Sequence, residues 1–181
     1  MSKTLQTDEQ RIYLASVLPG NASGLELLYR GSDHGWNISH FHSRCDGKGR
    51  TVTIFESDVG YLAAGYTSLP WNNSIQLESK ADSSAFLCAL TNKMQLFKPR
   101  YPSSALFHYR NWGPNWGHVS LAAVFNPMNG FNNGVCFTND YNYGIPTDDQ
   151  DNSVLTGQGN YTYQDYKLFT IKELEVFLVK E

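Results

Sequence analysis

Thr51-Val-Thr-Ile-Phe55 and Tyr61-Leu-Ala-Ala-Gly-Tyr66 are two short runs of β-branched, aromatic and small apolar residues, with a polar stretch from Glu56 to Gly60 between them. Runs of this length bounded by turn residues read as strands. Outward from them the pattern recurs in Ala85-Phe-Leu-Cys-Ala-Leu90, Ala105-Leu-Phe-His-Tyr109, Val119-Ser-Leu-Ala-Ala-Val-Phe125, Gly134-Val-Cys-Phe137 and Glu173-Leu-Glu-Val-Phe-Leu-Val179. Turn signals at Asp46-Gly47, Asn129-Gly130 and Asn133-Gly134 separate several of them. Many short strands with no helix between them argue for antiparallel sheets packed as a sandwich rather than βαβ units. The segment 85–90 is apolar on both faces, so it is expected to sit centrally, covered by helices.

The helices belong to the first quarter of the chain. Thr7 with Gln10 three residues later has the spacing of a capping box, in which each side chain satisfies a free N–H at the helix start. A helix from about Asp8 to Leu18 should follow, with Arg11, Leu14, Ala15 and Leu18 on one face and Pro19-Gly20 as its stop. A second is expected from Ile38 to about Arg44, capped by Asn37, with Ile38, Phe41, His42 and Cys45 along a buried stripe. From Asn139 to Gln164 the chain is polar and without periodicity, the kind of long loop that is often either functional or mobile.

Composition narrows the class. The 181 residues carry 14 Lys+Arg against 17 Asp+Glu, a formal charge of −3, and 14% aromatic residues. One globular domain over 1–181 is the simplest expectation, and at this size burial suffices without a metal or disulfide. The near-neutral balance argues against nucleic-acid binding, and Lys48/Arg50 and Lys98/Arg100 are too sparse to form a basic patch. Three scattered cysteines, Cys45, Cys88 and Cys136, read as buried thiols rather than a disulfide framework. No leader or membrane-spanning run is visible, so a cytoplasmic location is expected, although sequons begin at Asn21, Asn37, Asn72 and Asn160.

The search for chemistry returns little. His34, His40, His42 and Cys45 are all zinc-ligand types, but a structural site needs a second ligand pair and none follows. Cys45 near His42 has the composition of a thiol–imidazole pair, against which stands the reading of a buried apolar thiol. Asp148, Asp149 and Asp151 lack the Gly and Glu that a calcium loop requires, and Gly157-Gln-Gly159 lacks the rest of a phosphate loop. No GxSxG elbow occurs. No metal, cofactor or catalytic residue is therefore expected. Trp112, Trp116, Tyr141 and Tyr143 are the residue types that form interface hot spots and sugar-stacking platforms, which gives an alternative function as a small-ligand or carbohydrate-binding module.

Leu27-Leu-Tyr-Arg-Gly-Ser32, Gly35-Trp36, Phe41-His42, Cys45-Asp-Gly-Lys-Gly49 and Thr51-Val-Thr-Ile54, taken in order, resemble the opening of a TLDc domain. Gly60-Tyr61, Gly65-Tyr-Thr-Ser68, Trp71, Asp82, Ala85-Phe-Leu87, Leu90-Thr-Asn92, Gly113-Pro114, Gly117-His118, Leu155-Thr-Gly157 and Phe169-Thr-Ile-Lys-Glu-Leu-Glu175 continue the similarity, which spans about 7–180. The resemblance implies a two-sheet antiparallel β-sandwich flanked by short helices. It also implies a non-enzymatic interaction domain linked to oxidative-stress protection, with subunits of the vacuolar proton-pumping ATPase as protein partners. It marks Arg30, Gly31, Gly35, Trp36, Phe41, His42, Asp46, Gly65, Glu173 and Glu175 as structural or docking positions. Physically, Gly31, Gly35 and Gly65 are expected at positive φ or at close approaches, and Arg30 beside an acid such as Asp33 or Asp46. Glu173 and Glu175 alternate onto one strand face.

Overall fold

A computed structural model describes residues 2–91, 93–126, 131–136, 142–146, 153–157, 162–163 and 166–181. Helix α1 (Asp8–Val17) starts with the expected reciprocal cap between Thr7 and Gln10. Strand β1 (Gly24–Arg30) and a one-turn helix α2 (Gly31–His34) follow. Helix α3 (Ile38–Cys45) comes next, capped by the Asn37 side chain on the Ser39 N–H.

Two antiparallel sheets share one long strand. Strands β2 (Thr51–Ser57), β3 (Leu62–Thr67), β5 (Phe86–Ala89) and β6 (Gln95–Phe97) extend one sheet, and β4 (Glu78–Lys80), β7 (Leu106–His108), β8 (Asn115–Trp116), β9 (Leu121–Asn126) and β10 (Phe131–Cys136) extend the other. The strand β12 (Tyr166–Lys180) joins them. Its first part pairs with β10, Cys136 opposite Lys167, and with the short β11 (Thr162–Tyr163). Its second part lies between β1 and β2, Glu175 opposite both Arg30 and Ile54.

Alternation along the first sheet divides the apolar side chains between two cores. Phe55, Leu87, Leu174 and Val176 face the second sheet and pack with Leu106, Trp116 and Leu121. Val52, Ile54, Phe86, Cys88 and Phe177 face outward, where Leu14 of α1, Leu18 just after it and Leu5 cover them. Strand β5 is thus buried on both faces, as its sequence requires. Gly65 on β3 lies at the close approach of the sheets, because a Cβ there would stand 2.6 Å from the Trp116 ring.

Several elements differ from the sequence reading: α2, β4, β6 and β8 are not among the expected elements, and Asn133-Gly134, expected as a turn, lies inside β10. The segment 24–30 is a strand although its periodicity is weak, since pairing with β12 supplies its hydrogen bonds. The closing strand begins at Tyr166 rather than Glu173, because its first half belongs to the other sheet. The polar segment 139–164 contributes Tyr143, Ile145 and Leu155 to the core; the acidic residues Asp148, Asp149 and Asp151 lie outside the described residues. No helix among the described residues is long and apolar enough to cross a membrane.

Candidate functional site

The β1–α2 corner gathers the motif residues. Arg30 ends β1 directly across from Glu175, so the pairing register itself brings guanidinium and carboxylate together. Both Nε and Nη2 of Arg30 lie 2.7 Å from Glu175 Oε1, and Nη1 reaches Asp33 Oδ2 at 2.6 Å. The Lys3 ammonium closes the outer side on Asp33 at 2.6 Å. Glu175 is fully buried, and the rest of its capacity is met by the Lys3 N–H at 2.9 Å, the Thr4 hydroxyl at 2.6 Å and the Ser2 hydroxyl. Burial alone would raise the Glu175 pKa, but these donors together hold it below the usual carboxylate value. Asp33, exposed, is drawn down to about 2 by Lys3 and Arg30.

Around this clamp the remaining motif residues make further contacts within the fold. Glu173 accepts from the Ser32 N–H at 3.1 Å, the Gly31 α-carbon lies against the Trp36 ring with no room for a Cβ, and Tyr29 donates to the Gly35 carbonyl at 2.9 Å. Gly35 takes φ +81°, a left-handed value that favours glycine. Arg30 does pair with Asp33; Asp46, the other acid anticipated for it, belongs instead to His42, whose Nδ1 lies 3.0 Å from both Asp46 oxygens. That i, i+4 pair is a consequence of helical spacing at the end of α3. Phe41 stacks edge-on with Tyr29 and Trp71 beneath the same helix.

The histidines and cysteines of the cluster are taken up in contacts of the fold. His34 Nδ1 accepts from the Arg30 N–H, His42 is held by Asp46, and Cys45 is buried with its thiol pKa pushed far up by burial. Cys88 is pushed up to about 12 for the same reason. Among the described residues no three His, Cys, Asp or Glu side chains are placed to hold an ion. High thiol pKa values suppress the thiolate, the form that reacts and ligates.

The aromatic platform is not assembled either. Trp116 lies wholly within the core and donates to the Tyr66 carbonyl at 3.0 Å; Tyr143 is also buried and donates to the Ala105 carbonyl. Their polar tips satisfy core carbonyls, so neither ring is free to stack on a sugar. Tyr141 lies outside the described residues. Trp112 stays at the surface, half-buried, where the turn between β7 and β8 groups it with Tyr109, Phe107 and His118 at centroid distances of 4.9 to 6.5 Å. His118 and Val119 in the next turn both have positive φ, 53° and 74°. For a β-branched residue this is a strained conformation, and it was invisible in the sequence.

A cavity of about 460 Å³ adjoins this turn, between α3 and the residues that follow Trp71. It was not foreseen, because its walls come from segments 30 to 70 residues apart.

A family profile described as TLDc domain matches residues 1–180. Over 87 residues, 48% of the chain, the sequence is 25% identical to a Danio rerio protein named MTOR-associated protein MEAK7. The matched stretch is 19% of that relative, so the chain spans only about a fifth of its length.

Proposed function

The chain belongs to the TLDc domain family, and from that premise we propose that it works without catalysis of its own, as a cytoplasmic interaction domain. Its partner in this reading is a subunit of the vacuolar proton-pumping ATPase, and the outcome is protection against oxidative stress. The observation that carries the reading is the family match along 1–180. The geometry supports it: the motif side chains Arg30, Glu173 and Glu175 are spent on a buried clamp, and the described thiols are buried and protonated. That leaves the surface to act, and the ring cluster there, with Trp112 and Tyr109 half-buried beside the exposed His118, offers in Trp and Tyr residue types enriched at interface hot spots. The relative's name, an mTOR-associated protein, is in keeping with a life among protein partners.

A docked protein changes a pump only by binding one of its states better than another. The test is titration of this chain onto vacuolar membranes, reading pump assembly by sedimentation and ATP hydrolysis in the same samples. Saturable binding with a shift in either quantity is the expected result. Unchanged assembly and hydrolysis at saturating protein would sink the proposal.

A further inference from the structure

The cavity between α3 and the two facing turns sets polar groups in a largely apolar lining that includes Ile38: Ser39 and His42 on α3, Asp46 just after it, Asn73 on the segment after Trp71, and Arg110 and Asn111 on the β7–β8 turn. Backbone bonds hold these pieces in place. Asp46 bridges to Trp71, the Gly47 N–H donates to the Trp71 carbonyl at 3.0 Å, and the Arg110 N–H to the Ser74 carbonyl at 2.8 Å. The cavity is therefore a fixed feature of the fold rather than a gap between loose loops.

Its charges are unequally satisfied. Asp46 is the one acid on its walls, and both oxygens are engaged by the Nδ1 of His42, itself 7% exposed. The Arg110 guanidinium, by contrast, forms no ion pair with any described residue and is exposed. A guanidinium presents a planar fork of donors that matches a carboxylate or phosphate, and amide and hydroxyl groups beside it add further donors. We infer that this cavity binds a small oxyanion, a carboxylate or phosphoryl group, with Arg110 as its anchor. The inference does not rest on the docking reading, and either can fail alone.

The experiment is a titration followed by ¹⁵N–¹H correlation spectra of the whole chain, once with inorganic phosphate and once with glutarate, at ionic strength held constant with chloride. The expected result is saturable shifts at Asn73, Asn111 and residues 39–46, half-complete at about millimolar ligand. Saturation by phosphate alone assigns a phosphoryl ligand, by glutarate alone a carboxylate, and by both a general oxyanion site. Arg110→Gln should weaken the response at least tenfold, Arg110→Lys less, and Lys180→Gln, remote in sequence and paired with Glu26, not at all. Linear, unsaturable shifts with both anions, or unchanged saturation in Arg110→Gln or Arg110→Lys, overturn it.

Discussion

Glu175 is a buried carboxylate whose every partner comes from elsewhere in the chain: Arg30 from β1, and Ser2, Lys3 and Thr4 from the residues before α1. Removing it takes the Glu175 ion pair away from the buried Arg30 guanidinium. Glu175→Ala should therefore cost about 3–5 kcal/mol, the range for breaking a buried pair, by urea unfolding. A loss below about 0.5 kcal/mol, the size of a surface substitution, would show that the clamp contributes nothing. The folded pKa is lowered, so this stabilisation is present above the unfolded value of about 4.3 and disappears as pH falls through the folded value. His108 acts through the opposite kind of group with the same sign. Burial against Trp71 lowers its pKa to about 4, so between 6.5 and 4 the unfolded chain binds the extra proton and stability falls on acidification. Between pH 7 and 5 that amounts to about 2 kcal/mol. His108→Leu should flatten the dependence of the urea midpoint by this amount, and an unaltered slope would contradict it.

At the scale of the element, the packing of the two sheets depends on one position without a side chain. Gly65 on β3 sits where the Trp116 ring crosses, with Phe55 and Trp71 edge-on around the same indole. Gly65→Ala should cost about 1–3 kcal/mol through overpacking, because Trp116 is hydrogen-bonded and enclosed and has nowhere to move. Thermal unfolding of the variant checks this; an unchanged midpoint would mean that the sheets separate freely at this point. Helix α1 is stabilised differently. Its reciprocal cap is local, but its Leu14 and the capping Leu18 are buried only because the outer face of β2, β5 and β12 is apolar.

For the whole molecule, β12 is the hinge of the architecture: it belongs to both sheets and carries Glu173 and Glu175 at the corner where α2 docks. The described cysteines lie on opposite sides of the first sheet, Cys45 in the core between the sheets and Cys88 in the outer core under α1. Neither is reachable without opening a core. Alkylation of the native protein, read as labelled peptides by mass spectrometry, should spare both, with labelling appearing only across the urea transition. Rapid native labelling of Cys45 or Cys88 would show local opening and would revive thiol chemistry for this chain.

Local signals in the sequence determined the capping box at Thr7, the Asn37 cap, the two-faced apolar strand at 85–90 and the glycines Gly31 and Gly35, since each depends on residues within a few positions of one another. The ordered motifs also determined the family resemblance and with it the sandwich. Tertiary structure alone decided that Gly24–Arg30 is a strand, that Arg30 chooses Glu175 and Asp33 while Asp46 goes to His42, and that Trp116 and Tyr143 are core rather than surface. The reason is the range of the interactions: a pairing register across 145 residues and a ring enclosed between two sheets leave no periodicity in the chain that encodes them. The oxyanion cavity belongs to the same class, because only the folded chain sets Arg110 opposite α3.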